Sequence, residues 1–340
     1  MEKYKVIMDV DTGTDDAVAL CMAINSDQID LLGVCSVNGN RNVDLTTDNT
    51  LRVVDFLHRG DTVKVYKGCA LPLVDTLDPA RRPLIPYGDK YFDGQKNHGN
   101  HLDLPETELK EQEECAVSFY INTLMHSDGD ITIIAVGPLT NLAVAMRAEP
   151  RIISKIKEII IMGAALEEGN SGPSQRAEFN FWADPEAAEI VLQSGCKLTV
   201  VPLDVTHKTC IRYQEACEFE QSNTQAGIAS ARFIKRRIEN YQDWDKNNWQ
   251  KICESNEAPI HDALCVAGLL DRSIFTEVVS CHMHMDYSGG TADGMSIVNF
   301  KPTTRDLDDF FRPALKNVDL VMKADRDKFA KLMGELLMSR

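Results

Sequence analysis

The chain has 340 residues, a formal net charge of -16 at pH 7 and 44% hydrophobic residues. This acidity argues against nucleic acids and anionic membranes as partners, because both require a basic face on the protein. The sequence has no apolar run of membrane-spanning length, no secretory signal and no C-x-x-C pair among its ten cysteines, so we expect a protein of the reducing cytoplasm.

Apolar, β-rich runs alternate with longer helical patterns as far as about residue 225. Strands are predicted at 4–8, 29–37, 63–66, 131–136, 156–162 and 198–203, and helices at 16–25, 47–57, 116–125, 141–148, 185–194 and 213–219. The rest of the chain is mostly helical, with a late pair of strands at 278–285 and 318–322 and a final helix from Arg326. We therefore predict an α/β fold, a single domain over residues 1–340 with a mostly parallel, Rossmann-like central sheet flanked by helices and a helical C-terminal part.

Polar or turn-forming residues follow five of the predicted strands. They are Asp9, Asp11, Asp15 and Asp16 after the first strand, Asn38 and Asn40 after the second, residues 137–141 after the fourth, residues 162–164 after the fifth, and Asp204 and His207 after the sixth. Each alone is best explained as a turn or a helix cap. In open α/β sheets, however, ligands bind beyond the carboxyl ends of the strands. Because such residues follow five strands, we predict a ligand site at this edge of the sheet.

The first of these ends is the most unusual, because it places four aspartates within the eight positions 9–16. Asp9 and Asp11 point the same way on an extended chain, and Asp15 and Asp16 fall in the first turn of a helix. The helix dipole offsets about 0.3–1 kcal/mol per charge, which is too little for four carboxylates. Protonation or a bound cation would relieve the rest, and an all-oxygen set favours calcium or magnesium over zinc.

Two known aspartate patterns fit this stretch poorly. An EF-hand loop that began at Asp9 would need Gly at its sixth position and Glu at its twelfth, where the sequence has Thr14 and Leu20. The D-x-D-x-T motif of haloacid-dehalogenase-like phosphatases is closer, but Gly13 occupies its fifth position and the pair Asp15-Asp16 has no part in it. The phosphatase remains an alternative.

A third pattern fits throughout. The stretch "DVDTGTDDAVAL" at 9–20 resembles the D-x-D-x-G-x-D-D signature of the inosine/uridine-preferring nucleoside hydrolases. Further resemblances follow in that family's order: "SVNGN" at 36–40, "GCALPL" at 68–73, "HG" at 98–99, "VGPLTNLA" at 136–143, "IIMGAA" at 160–165, "EGN" at 168–170, "AEFNFWADPEAA" at 177–188, "LDVTH" at 203–207 and "HDALCVA" at 261–267. The resemblance implies hydrolysis of the N-glycosidic bond of ribonucleosides to ribose and free base, in nucleoside salvage.

The same resemblance implies a calcium ion bound by three carboxylates and one backbone carbonyl. The ligands would be Asp11, Asp16, Asp262 and the carbonyl of Val136, where the family has Thr and where a carbonyl contact tolerates the change. Asp11 would also be the general base that activates the attacking water, and Asp9 would support the loop from behind.

Contacts to the sugar are also implied by the resemblance. Asp15 and Asn180 would bind ribose hydroxyls, Asn170 and Glu178 would bind the 5′-hydroxyl, and Asn40 would lie close to the sugar. Neither G-x-x-x-x-G-K-[ST] nor G-x-G-x-x-G occurs in the sequence, which favours nucleosides over nucleotides as substrates.

The sequence identifies fewer contacts to the leaving base than to the sugar and the metal. His261, beside Asp262, is the candidate catalytic residue for protonating the base, although a lone histidine is more often structural. The purine-specific branch of the family has Trp at that position, so "HDA" points to the broader or pyrimidine-accepting branches. His98 matches a substrate-binding position in the family's mobile flap, whereas His101 has no counterpart there and reads as a surface residue.

Aromatic residues before His261 could stack on the base or pack on the core. The candidates are Tyr241, Trp244 and Trp249, of which we include Trp249 among the substrate contacts while leaving open which of the three faces the base. A non-catalytic nucleoside-binding or metal-binding protein is the remaining alternative. Family resemblance also predicts a homodimer or homotetramer.

Overall fold

The computed structural model describes residues 3–74, 101–167, 169–247, 251–300 and 316–339, with side chains described only as far as residue 243 in the third range. The strands are β1 (Tyr4–Val10), β2 (Ile29–Ser36), β3 (Val65–Lys67), β4 (Ile131–Ala135), β5 (Ile156–Met162), β6 (Leu198–Val201), β7 (Cys210–Arg212), β8 (Glu257–Pro259), β9 (Phe275–Met285), β10 (Ser296–Asn299) and β11 (Val318–Ala324). The helices are α1 (Thr14–Asn25), α2 (Val43–Phe56), α3 (Ala116–Met125), α4 (Thr140–Ala148), α5 (Phe179–Ala183), α6 (Pro185–Leu192), α7 (Leu203–Thr206), α8 (Tyr213–Gln221), α9 (Gln225–Asn247), α10 (Ala263–Leu270) and α11 (Arg326–Met338). Among these helices, none combines the length and the hydropathy needed to cross a bilayer.

Nine of the described strands form one sheet in the order β10-β9-β11-β6-β5-β4-β1-β2-β3, and β7 pairs with β8 separately. Every pairing from β11 across to β3 is parallel, whereas β9 runs antiparallel to β11, and β10 runs antiparallel to β9. The prediction of a mostly parallel sheet flanked by helices is confirmed. The late strands at 278–285 and 318–322 pair with each other as predicted, and they extend the same sheet.

Most differences from the predicted elements lie at their ends. Helix α2 begins at Val43, four residues before the predicted start, because the Asn42 side chain accepts a hydrogen bond from the Leu45 N–H and caps the first turn. Helix α11 begins at Arg326 as predicted, with Asp325 as its cap. Strands β7, β8 and β10 were not predicted, since three or four residues are too few to show a hydrophobic period.

The core consists of two layers, one on each face of the sheet. On β1, Val6 and Met8 face one layer and Ile7 faces the other, as the two-residue period of a strand requires. The first layer contains buried residues of α1, α9, α10 and α11, and the second contains those of α3, α4 and α6. Burial on both faces explains why the parallel strands are nearly continuous apolar runs in the sequence.

Strand β1 lies at the point where the sheet changes direction. From β1 the chain proceeds outward to β2 and β3 on one side, and later to β4, β5 and β6 on the other. At the carboxyl end of β1, the Val37 N–H donates to the Val10 carbonyl and the Val136 N–H donates to the Asp9 carbonyl, both at 2.9 Å. The loops that follow β1, β2 and β4 therefore converge, which is where open α/β sheets bind ligands.

Candidate active site

Asp11 and Asp16 are joined by hydrogen bonds directly after β1. The Asp16 carboxylate accepts the Asp11 N–H at 3.2 Å and the Gly13 N–H at 2.9 Å. Asn40, from the loop after β2, donates its backbone N–H to Asp11 Oδ2 at 2.6 Å and its side-chain amide to Asp16 Oδ2 at 3.3 Å. Asp11 Oδ1 is buried and has no hydrogen-bond partner in the described part of the chain.

Asp262 completes the acidic cluster from the other end of the sequence. It immediately precedes α10, and carboxylate oxygens of Asp15, Asp16 and Asp262 all lie within 4.8 Å of one another. All three side chains are buried. The structure thus brings two of the predicted ligands, Asp16 and Asp262, together with Asp15. Asp11, the third predicted carboxylate, is linked to Asp16 through its backbone N–H but is not among the oxygens within 4.8 Å.

Burial makes the charged forms of these carboxylates unfavourable in free energy. Burial, with repulsion from Asp15, raises the pKa of Asp16 to about 7. Burial is also the largest cause that raises the pKa of Asp11 and of Asp262 well above the usual range, followed by repulsion from the neighbouring aspartates. A bound cation would offset both the burial and the mutual repulsion of these charges. An all-oxygen donor set with an unpaired oxygen on Asp11 therefore fits a hard divalent cation.

The predicted ligand carbonyl of Val136 lies beside a predicted ribose contact. Asn180 Nδ2 donates to the Val136 carbonyl at 2.8 Å and to the Met162 carbonyl at 3.2 Å, so this side chain links the ends of β4 and β5. A carbonyl oxygen has two lone pairs, so the bond from Asn180 still leaves one for a cation.

The predicted 5′-hydroxyl contacts lie in two different environments. Glu178 is buried and caps α5 by accepting the N–H groups of Asn180 and Phe181 at 2.8 and 3.1 Å, and burial raises the pKa of this carboxyl to about 7. Asn170 is exposed on the loop after β5, where its Oδ1 accepts the Ser171 hydroxyl at 3.0 Å.

His261 has partners on both ring nitrogens. The Thr206 hydroxyl lies 2.7 Å from Nδ1, and the Tyr241 hydroxyl lies 3.0 Å from Nε2. The His207 ring meets the His261 ring edge-on, with centroids 5.5 Å apart. His261 is therefore oriented by its neighbours, and among the aromatic candidates whose side chains are described, Tyr241 contacts it. His98, Trp249 and the side chain of Trp244 lie outside the described residues.

Asp9, which was predicted to support the loop, is buried near the end of β1 and is held by two side chains. Its carboxylate accepts the Tyr120 hydroxyl at 2.9 Å and the Asn141 amide at 3.2 Å, while burial raises its pKa to about 7. Asn141 also accepts the Cys69 N–H at 2.7 Å. The contact of Tyr120 with Asp9 was not predicted, because an aromatic residue in an apolar helix is usually a core residue.

Two further aspartates organise the loops around the site. Asp204 accepts the N–H groups of Leu166 and Glu167, both at 2.8 Å, and so fixes the start of the loop that carries Asn170. The buried Asp184 was not predicted as an organising residue. It accepts the Thr140 hydroxyl at 2.7 Å and the Leu73 N–H at 3.0 Å.

Gly39 has no side chain, and the Asp11 side chain occupies the space where a Cβ atom at position 39 would lie. A Cβ atom added at Gly39 would lie 2.7 Å from Asp11 Cγ and 2.8 Å from Asp11 Cβ. We expect Gly39→Ala to displace the carboxylate and to lower kcat about 10²-fold, since a displacement of about 1 Å at a reacting group has that effect. Steady-state kinetics with uridine would measure it. Gly290→Ala is the matched control, because the nearest atom to its added Cβ is Ser288 Oγ at 3.5 Å. Equal kcat values for the two variants would contradict the expectation.

A parallel sheet whose converging loops carry buried carboxylates defines an α/β enzyme with an acidic active site. Residues 6–331 match the model of the inosine-uridine preferring nucleoside hydrolase family. The chain therefore belongs to this family, and it hydrolyses ribonucleosides to ribose and free base. The family resemblance found in the sequence is confirmed, and the phosphatase and non-catalytic alternatives are not supported.

Similar proteins include hydrolases of different base preference. The pyrimidine-specific ribonucleoside hydrolase RihB of Escherichia coli O157:H7 is 37% identical over 305 residues, which cover 87% of this chain and 88% of that protein. The purine-preferring ribonucleoside hydrolase of Gardnerella vaginalis superposes with a TM-score of 0.79 at 27% identity and covers 98% of this chain and 99% of its own. The plant nucleoside hydrolase PpNRh1 superposes with a TM-score of 0.85 at 24% identity, covers 99% of both chains, and supports the fold.

Proposed function

We propose that the enzyme is calcium-dependent and that pyrimidine ribonucleosides are its preferred substrates. The observation that carries the calcium proposal is the buried group of Asp11, Asp16 and Asp262, in which Asp11 Oδ1 has no hydrogen-bond partner among the described residues. These carboxylates and the Val136 carbonyl would hold the ion. When bound, calcium would lower the pKa of a water molecule and orient the vicinal ribose hydroxyls.

Asp11 is the proposed general base. Its Oδ2 is fixed by the Asn40 N–H, so Oδ1 is the oxygen that can accept the proton of the attacking water. The buried negative charge of the cluster also stabilises the positive charge that develops on the sugar in an oxocarbenium-like transition state. Asp15, Asn40 and Asn180 would hold the ribose, with Asn170 and Glu178 at the 5′-hydroxyl.

His261 is the proposed source of the proton for the leaving base. Its Nε2 lies against the Tyr241 hydroxyl, and Tyr241 is only partly buried whereas His261 is buried, so the proton would reach the base through the tyrosine. Thr206 on Nδ1 would fix the ring orientation. His98 and Trp249 would complete the base site.

The proposed preference for pyrimidines has two supports. His261 stands where purine-specific relatives are expected to have Trp, and the pyrimidine-specific RihB shares 37% identity over most of the chain. The alternative is a preference for purine nucleosides, as in the purine-preferring Gardnerella enzyme, which is 27% identical.

The predicted homodimer or homotetramer is a separate proposal. Sedimentation of the purified enzyme would test it.

A reducing-sugar assay on uridine, cytidine, inosine, adenosine and guanosine tests both proposals. After treatment with a strong chelator and dialysis, we expect activity to be lost and to return with calcium more fully than with equimolar magnesium. We expect kcat/KM to be at least about tenfold higher for uridine than for inosine, which corresponds to about 1.4 kcal/mol of discrimination. Full activity in demonstrably metal-free enzyme would overturn the calcium proposal, and a higher kcat/KM for inosine would overturn the base preference.

A further inference from the structure

Arg237 is a buried cation among the aspartates that nothing in the sequence predicted. It lies on α9, one turn before Tyr241, and only 4% of its surface is exposed. Its Nη1 lies 2.9 Å from Asp15 Oδ1 and donates to Thr14 Oγ1 at 3.2 Å, and its Nε donates to the Pro259 carbonyl at 3.0 Å. The guanidinium therefore links the first turn of α1 to the strand that leads to His261 and Asp262.

The contact with Asp15 is chiefly Coulombic. The two atoms are close, but Asp15 Oδ1 makes no aligned hydrogen bond in the described structure. Both side chains are buried, so solvent screens the pair weakly, and a guanidinium keeps its charge at any working pH. The pair accounts for one of the four negative charges in the cluster. Asp11, Asp16 and Asp262 remain for a divalent cation.

This pairing bears on which aspartates bind the cation. By distance alone Asp15 is as good a ligand as Asp16 or Asp262, because the oxygens of the three lie within 4.8 Å of one another. Arg237 gives Asp15 a positive partner of its own on the side of α9. An oxygen that is already paired with a cation is a poorer ligand for a second one.

We propose that Arg237 is a positioning residue that separates Asp15 from the cation ligands and holds it for the ribose hydroxyls. The inference rests on the proposed calcium site. Without Arg237, Asp15 is free to become an additional carboxylate ligand. The number of charged ligands raises calcium affinity in oxygen sites, so calcium then binds more tightly while ribose loses its contact. Opposite changes in the two affinities distinguish this role from general damage to the site, which weakens both.

The test uses the full-length Arg237→Gln variant with Arg232→Gln as its control, since Arg232 is exposed on the same helix. Titration calorimetry on chelator-treated protein would measure calcium affinity, and inhibition of uridine hydrolysis by free D-ribose would measure the sugar contact. We expect calcium affinity to rise about tenfold, and the ribose inhibition constant and the KM for uridine to rise together about 10- to 100-fold, which is the range for losing a contact to a charged group. Arg232→Gln should leave all three unchanged.

Several results would overturn the inference. Calcium affinity that falls or stays constant in Arg237→Gln would show that Asp15 is not being kept from the ion. A higher KM for uridine with an unchanged ribose inhibition constant would show that Arg237 contacts the base. If the unsubstituted enzyme bound no calcium, the proposed metal site itself would fail, and the inference with it.

A double-substitution experiment covers the case in which Arg237→Gln does not fold. Arg237→Lys keeps a buried positive charge, but its single ammonium cannot keep the bonds from Nη1 to Thr14 and from Nε to the Pro259 carbonyl that hold the charge against Asp15. It should therefore raise the ribose inhibition constant in the unsubstituted background but leave it unchanged in the Asp15→Asn background. An equal effect of Arg237→Lys in both backgrounds would show that Arg237 acts independently of Asp15, contrary to the proposal.

Discussion

Asp11→Asn should lower kcat for uridine by about 10²- to 10⁴-fold, the range for removing a general base. The substitution is nearly isosteric, so the acceptor for the Asn40 N–H is preserved, but an amide cannot take the proton of the attacking water. Calorimetry on the same protein should show weaker calcium binding, because one of the three ligand carboxylates becomes neutral. Release of reducing sugar gives the rate, and the unfolding temperature reports whether the fold is intact.

Asp27→Asn is the control for Asp11→Asn. Asp27 is exposed in the turn between α1 and β2, so its substitution removes the same charge far from the cluster and should leave kcat unchanged. If the Asp11→Asn enzyme kept its rate within tenfold of the unsubstituted enzyme, Asp11 would not be the base. The water would then have to lose its proton to another carboxylate of the cluster.

His261→Gln should lower kcat for uridine by about 10²- to 10³-fold and change little for 4-nitrophenyl riboside. Uracil leaves from the sugar most easily when it gains a proton, whereas a nitrophenolate is stable without one. The comparison of the two substrates therefore isolates proton donation.

The proposed proton path runs through the Tyr241 hydroxyl, so Tyr241→Phe should also lower kcat for uridine but not for 4-nitrophenyl riboside. This substitution keeps the aromatic ring beside Arg237.

Equal losses on both substrates would contradict this role of His261 and indicate that it only supports the neighbouring Asp262. The exposed His126, at the end of α3, gives a control substitution that should affect neither substrate. A Tyr241→Phe enzyme with the full rate on uridine would place the proton path elsewhere, while leaving His261 itself in place.

The acidic cluster also explains why the aspartates of residues 9–16 accept so many hydrogen bonds. The Asp16 carboxylate accepts the backbone N–H groups of Asp11 and Gly13. The Asp9 carboxylate is held by the side chains of Tyr120 and Asn141. These donors stabilise the charged forms of buried carboxylates, although burial still raises the pKa of each to about 7. Residues 9–16 are thus held in place by hydrogen bonds from their own backbone and from side chains of α3 and α4.

The features that could be predicted from the sequence were mostly local. The apolar runs of β1 and β5, the cap at Asp325 and the place of Asp15 and Asp16 in the first turn of α1 depend on residues within a few positions of each other. The family motifs added the distant Asp262, and the structure places it beside Asp15 and Asp16. That set could be predicted because each motif is short and has a distinctive composition.

Other parts of the site depend on contacts between residues that are far apart in the sequence. Arg237 and Thr14 are 223 residues apart, and a basic run on a helix ordinarily lies in solvent. The two partners of His261, Thr206 and Tyr241, come from different helices, and neither sequence position indicates a contact with an imidazole. Such pairs depend on how α9 packs across α1 and on where β6 ends in the sheet. Hydrophobic periodicity determines which face of an element is buried, but not which polar groups of two distant elements meet at its end.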